Sequence, residues 1–416
     1  MEKNTMNEKM LKEYARLIVE VGINVQKGQR LVINCPVECA QFGRMLTTAA
    51  YDVGAKDVLL NWRDDYINRE HWLKADDSVF DSVHPWDAQK SLTLAKEGAG
   101  FISIAASNPE NLRGVDPERL RRYDVAVGRD MKESSQLMMS NYCPWCVVSI
   151  PIISWAKKVF PDLSEDAAMD RLWTEIFNAV RITEDGDAVA AWRDHCNNLE
   201  TRSAKLNEYN FKSLRYTNSL GTDLTVGMPD EHVWMAGGDT SKAGIKFVAN
   251  MPTEEIFSAP KKDDVNGVLY ASKPLNLRGN IVDGIKLTFK DGRIVDIHAD
   301  QGEDILRAAI ETDEGSHYLG EIALVPYDSP ISNSGVLFFN TLFDENASCH
   351  FAFGEAYPSC VKGGDDLPME ELLKRGINAD SSQHVDFMVG TADLSIVGTT
   401  HDGREIPVFV DGNFVI

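Results

Sequence analysis

The apolar pattern of this chain changes period once, near Leu206. The two sides of that point predict different kinds of sheet. Before it, short apolar runs alternate with segments of helical spacing. Leu11, Tyr14, Ile18 and Val21 recur as on one helix face and lead through Gly28 into LVIN. Phe42, Met45, Leu46, Ala49 and Val53 follow at helical spacing and end at Gly54, before DVLLNW. A strand, a helix and a strand in succession form a βαβ unit, whose strands run parallel and need cover on both faces. FISIA (Phe101 to Ala105), VAVG (Val125 to Gly128) and CVVSIP (Cys146 to Pro151) are further buried-strand candidates. From Ile152 to about Leu206 the spacing predicts helix, with Met169, Leu172, Trp173, Ile176 and Val180 on one face behind an Asp162 to Glu165 capping pair.

After Leu206 the pattern becomes hairpins. These are SLRYTNSLGTDLTVGM, the pair GIKLTFK and RIVDIHA around Asp291-Gly292, and LSIVGTT with EIPVFV around Asp402-Gly403. The expectation is an α/β fold: an N-terminal domain (1–205) with a mostly parallel sheet and covering helices, then a strand-rich α+β domain (206–416). At 416 residues the chain exceeds what one hydrophobic core usually organises.

Charge narrows the partners. A net charge of -22 argues against nucleic acid and against an anionic membrane, since both need a basic face. Apolar stretches fall short of the roughly 18 residues of a membrane span, and Met1 to Lys12 is polar and charged, so a cytoplasmic protein is expected. Seven scattered cysteines, an odd number, read as reduced thiols. The first strand is followed by CPVECAQFG, which lacks the glycines that let a backbone approach a pyrophosphate. Cys143-Pro144-Trp145-Cys146 has redox-motif spacing but precedes a strand, which denies it the helix N-terminus that lowers a thiol pKa.

Chemistry concentrates in three stretches of the second half: Glu254 and Glu255 in NMPTEEIFSAP, Glu345 and His350 in DENASCH, and His384 and Asp386 in QHVDF. Mixed carboxylate and imidazole donors suit borderline divalent metals, whereas structural zinc favours thiolates. On a strand, residues two apart share a face, so His384 and Asp386 point the same way. Glu254 and Glu255, in an extended segment between Pro252 and Pro260, project to opposite sides, so one of them is expected to be a ligand. Glu321 opens the apolar run EIALV. His298, at a hairpin strand end, reads as an edge residue, and His317 as support for the site.

NMPTEEIFSAP, HYLGEIALVP, FDENASCHFAFGEAYP and HVDFMVGT, with the N-terminal YARLIVEVGINVQKGQRLVI and the central WCVVSIPIISWA, resemble the successive signatures of the thermophilic-type leucyl aminopeptidases, the aminopeptidase T and PepS group of two-metal peptidases. The resemblance implies two divalent ions (zinc, cobalt, manganese or magnesium) held by Glu255, Glu321, His350, His384 and Asp386, with Glu345 as a further ligand and Glu321 as the bridging carboxylate. It implies an active-site tyrosine at Tyr357, peptide substrates cut at their N-terminal residue, and a homodimer. General principles then assign the general base to Glu321 or Glu254 and oxyanion stabilisation to Tyr357. Two rivals predict different behaviour. A non-catalytic small-ligand module would bind no metal, and a thiol oxidoreductase working through Cys143 and Cys146 would be indifferent to chelators.

Overall fold

A computed structural model describes residues 2–277 and 280–416. The chain divides into two compact units, Met1–His195 with Gly238–Pro252, and Cys196–Gly237 with Thr253–Ile416.

In the first unit, helix α1 (Glu2–Leu17) and a wider turn at Ile18–Gly22 precede strand β1 (Arg30–Pro36). Helix α2 (Ala40–Asp52) crosses over to β2 (Asp57–Arg63), and β3 (Gly100–Ile104) and β4 (Trp145–Val148) follow. All pair in parallel, with β1 between β2 and β3, β4 beyond β3, and the short strand Asn250–Met251 on the far edge. Consecutive buried residues in β1 (Leu31, Val32, Ile33) are what a strand covered on both faces requires. Cys146 is buried within β4, where desolvation pushes its thiol pKa up, and burial pushes Cys143 to about 11. A nucleophilic thiolate needs the opposite shift. All seven cysteines are buried thiols outside any disulfide.

Two expectations are corrected here. Val125 to Gly128 is not a strand. It lies inside helix α3 (Pro117–Asp130), started by Pro117 and by the Asp116 side chain, which accepts from the Glu118 amide at 2.9 Å. Four apolar residues are too few to distinguish strand from helix. The flanking Leu120 and Tyr123 pack on a Trp72–Phe80 cluster at helical spacing and decide it, leaving Val125 exposed. The Asp162 to Glu165 capping pair is replaced by Ser164, whose hydroxyl accepts from the Ala167 amide at 3.3 Å to start helix α4 (Glu165–Ala179). Leu172, Ile176 and Val180 on that helix and just past it are buried.

In the second unit the three hairpins join into one antiparallel eight-stranded sheet. A separate antiparallel sheet carries the candidate residues. Its order is β8 (His384–Met388), β7 (His350–Gly354), β6 (Leu319–Leu324), β5 (Ile256–Ser258) and the short Met235–Ala236. Glu321 is thus the third residue of its strand and not the first. The two faces of this sheet differ in kind. Ile322 and Leu324 on β6, Phe351 and Phe353 on β7, and Phe387 on β8 enter one buried cluster, with Tyr216 5.1 Å from Phe351 between ring centroids. The alternate residues, Glu321, His350, His384 and Asp386, face the other way because side chains alternate along a strand.

Among the described residues no helix is long and apolar enough to cross a membrane. Removing a core-face ring should cost stability directly. Phe351→Ala, at a fully buried position, is expected to destabilise this unit by about 3–5 kcal/mol, read as a lowered denaturation midpoint in urea.

Candidate metal centre

Strand register sets the geometry of the centre. Glu321 on β6 pairs with Ala352 on β7, and Ala352 with Asp386 on β8, so the two carboxylates stand on one rung with a methyl group between them. Two strand spacings make that rung roughly 10 Å wide, and only a small central residue leaves the gap open. His384 pairs with Gly354, which likewise carries no side chain toward the site. Gly354 also has φ +109, and a Cβ there would meet the Gln383 carbonyl oxygen at 2.0 Å. Small residues on the site face of HFAFG are the feature that ligand hunting in the sequence passes over.

Glu255, just before β5, Glu321 and His350 form one group, and Glu321, His384 and Asp386 a second. In each group one potential ligand atom per residue lies within 4.8 Å of the others. Glu321 belongs to both. Its Oε1 is 3.6 Å from His350 Nε2, and its Oε2 is 3.2 Å from His384 Nε2. Glu255 Oε2 lies 3.4 Å from the same His350 nitrogen, and Asp386 Oδ1 3.3 Å from that of His384. Each imidazole is oriented from behind by a backbone carbonyl, Ser348 O at 3.2 Å from His350 Nδ1 and Glu355 O at 2.7 Å from His384 Nδ1. An Nδ1–H donated to a carbonyl leaves Nε2 as the lone-pair nitrogen, the tautomer a metal ligand needs.

The electrostatics call for cations. Glu345 is buried beside the group, so Glu255, Glu321, Glu345 and Asp386 bring four carboxylates to two imidazoles. Burial followed by the repulsion of Asp386 and Glu255 pushes the Glu345 pKa well above its usual range. Burial raises Glu255 despite a hydrogen bond from His350. Glu321 is the exception. Burial disfavours its charge, but hydrogen bonds from His350 and His384 outweigh that and hold it at about 2. Both histidines, though desolvated, are raised well above normal by the carboxylates around them. Buried charge of one sign is costly unless compensated, and two dications balance four carboxylates with neutral imidazoles. The donor set therefore fits divalent metal.

The remaining candidates lie around this core. The Tyr357 ring centroid is 5.3 Å from that of His384 and 5.9 Å from Phe257. Burial first, then the negative charge of Glu321 and Asp386, raises its hydroxyl pKa well above normal, so it stays protonated. Glu254 is buried, and its amide donates to Asn346 Oδ1 at 2.7 Å. Asn346, which sequence reasoning missed inside DENASCH, also donates to Leu342 O at 3.0 Å and to Glu345 Oε1 at 3.4 Å, tying the Glu254–Glu255 segment to Glu345. His298 is exposed and contacts Glu303 at 3.1 Å and Asp300 at 3.4 Å, outside both groups. His317 is half-buried in a turn at Gly315–His317 and belongs to neither group.

A second support holds the segment leading into β8. Asp313 accepts from the Ser316 amide at 2.7 Å, the Ser382 amide at 2.7 Å and the Ser381 hydroxyl at 2.9 Å. Burial would raise its pKa, but the hydrogen bonds from Ser382 and Ser316 hold it well below the carboxylate range.

The sequence profile of the family described as thermophilic metalloprotease (M29) matches residues 7–414. The chain is 48% identical to aminopeptidase AmpS of Bacillus subtilis over 404 residues, 97% of this chain and 98% of that one. It is 44% identical to aminopeptidase 2 of Geobacillus stearothermophilus, covering 98% of each. Its fold superimposes on the solved structure of AmpT from Thermus thermophilus with a TM-score of 0.91 at 36% identity, covering 98% of this chain and 100% of that one.

Two outcomes follow from the geometry. Ala352→Leu should fill the gap between Glu321 and Asp386, lowering bound metal per chain by at least about tenfold in elemental analysis. Far-UV circular dichroism should stay unchanged, because the core face is untouched. For Asp313 the folded pKa lies below the unfolded value of about 3.9, so its contribution is present above that value and lost as pH falls through the folded pKa. The melting-temperature gap between wild type and Asp313→Asn should accordingly be widest near neutrality and close below about pH 4.

Proposed function

The chain belongs to the thermophilic metalloprotease family M29, and on that premise we propose that it removes the N-terminal residue of peptides at a centre of two divalent ions bridged by Glu321. It is a metal-dependent aminopeptidase. The observation that carries the two-ion reading is the Glu321 carboxylate, which turns one oxygen to His350 and the other to His384.

Glu255, His350 and Glu321 would hold one ion, and Glu321, His384 and Asp386 the other, with Glu345 as a further carboxylate. Zinc, cobalt, manganese and magnesium all accept these donors. Bound there, the ions supply a water of lowered pKa and polarise the scissile carbonyl. The protein supplies the rest. A carboxylate beside the water, Glu254 or Glu321, takes its proton and returns it to the leaving amine. The Tyr357 hydroxyl, kept protonated by its buried and anionic surroundings, donates to the oxygen that becomes negative. The surplus of carboxylates suits a substrate with a free ammonium group. We further read the enzyme as a cytoplasmic homodimer, on the family resemblance and on its reduced, buried thiols.

The test couples elemental analysis of protein purified without added metal to cleavage of a leucyl peptide with free and with acetylated N-terminus. The expected result is close to two ions per chain, cleavage of the free peptide alone, and loss of at least about a thousandfold in kcat/KM for Glu321→Ala, the range expected when a metal centre is dismantled. Equal cleavage of the acetylated peptide would sink the exopeptidase reading, and one ion per fully active chain the bridged pair.

A further inference from the structure

The two imidazoles of the metal centre are aimed by carbonyls of different origin. His350 faces the carbonyl of Ser348, two residues away on its own segment, whereas His384 faces that of Glu355, 29 residues away and just past the end of β7. His384 is also the more accessible of the two, its side chain 23% exposed against 1% for His350. Its orientation therefore depends on what fixes the Glu355 carbonyl.

Asn378 fixes it from both sides. A peptide group is planar, so the Glu355 carbonyl moves only with the Ala356 amide, and the Gly354 carbonyl only with the Glu355 amide. The Ala356 amide donates to the backbone carbonyl of Asn378 at 2.7 Å, and the Gly354 carbonyl accepts from Asn378 Nδ2 at 2.5 Å. Between them the Glu355 amide donates to Gln383 O at 2.8 Å, so two successive peptide planes are tied down. The same Nδ2 donates to Gly315 O at 2.8 Å and lies 3.4 Å from Tyr318 O, which anchors Asn378 to the chain entering β6. Gly320 on β6 leaves room for this arrangement, because a Cβ there would meet the Glu355 carbonyl oxygen at 2.5 Å. Tyr357 follows Ala356 directly, so the same hold reaches its ring, 5.3 Å from that of His384.

The chemistry of Asn378 points to its donors. The residue is fully buried, and among the described residues its Oδ1 has no partner. An apolar side chain would fill the space without burying an unpaired acceptor. What it would not supply is N–H donors, and every group that Nδ2 reaches is a main-chain carbonyl.

We propose that Asn378 is a positioning residue of the metal centre: by holding the Gly354–Glu355 peptide it aims the Glu355 carbonyl at His384 and so sets the metal affinity of the Glu321, His384 and Asp386 group, with no such hold on the Glu255, Glu321 and His350 group. The proposal rests on the two-ion reading and deepens it. A carbonyl that accepts from Nδ1–H keeps Nε2 free for the ion, and loss of such an orienting partner typically costs about 10- to 100-fold in metal affinity.

The experiment titrates zinc into the metal-free full chain against a fluorescent chelator, for wild type and Asn378→Ala. The expected result is one ion weakened by about 10- to 100-fold and the other unchanged, with kcat/KM lowered at limiting zinc and recovered in excess zinc because every ligand is still in place. Anomalous diffraction at the zinc edge, on crystals grown at limiting zinc, should assign the loss to the His384 side. If Asn378→Ala does not fold, Asn378→Ser, which keeps one donor, takes its place with a smaller loss at the same ion. Equal weakening of both ions, no weakening in a folded variant, or a loss on the His350 side overturns the proposal, since a purely structural asparagine does not choose between the ions. Failure of the underlying reading looks different, for then the wild type itself is fully active with a single zinc.

Discussion

One carboxylate shared by two imidazoles organises the second unit. Glu321 is buried at the middle of a five-stranded sheet, where an ionised group survives only if it is paired from several directions. His350 and His384 supply that pairing from the two strands beyond it on one side, and each is aimed by a carbonyl at its far nitrogen. Burial, and after it the repulsion between neighbouring carboxylates, pushes Glu255 and Glu345 toward protonation, whereas hydrogen bonds from both imidazoles keep Glu321 ionised. Four carboxylates around two imidazoles leave an imbalance of charge that divalent metal would offset.

The sheet accommodates this arrangement because its two faces do different work. Phe351 and Phe353 anchor β7 in the hydrophobic core, and Ala352 and Gly354, alternating with them, keep the opposite face low enough for side chains on neighbouring strands to meet above it. Stability and chemistry are thereby assigned to alternate residues of the same five-residue strand. A one-residue slip of register would exchange them, so the aromatic face that pays for folding also enforces the ligand geometry.

Much of this was legible beforehand, for a physical reason in each case. The βαβ opening and the three hairpins are local patterns, and periodicity reports local patterns well. The pairing of His384 with Asp386 follows from the two-residue repeat of a strand. VAVG was misread because four apolar residues carry no period of their own, and the capping role of Ser164 because Asp162 offered an equally plausible acceptor two residues earlier. Asn346, Asp313 and Asn378 were not legible at all, since their partners lie in segments whose proximity no spacing records.

By itself the sequence determined which residue types could bind metal, in which short stretches they sit, and, through family resemblance, what reaction they serve. These are properties of side chains and of neighbours along the chain. Only the tertiary structure decided that Glu321 faces both histidines, that Ala352 separates two carboxylates, and that Asp344 gathers the amides of Phe338, Phe339 and Asn340. Those relations depend on strand order and register, which are set by burial of the aromatic face over the whole sheet and leave no trace in the spacing of any one segment.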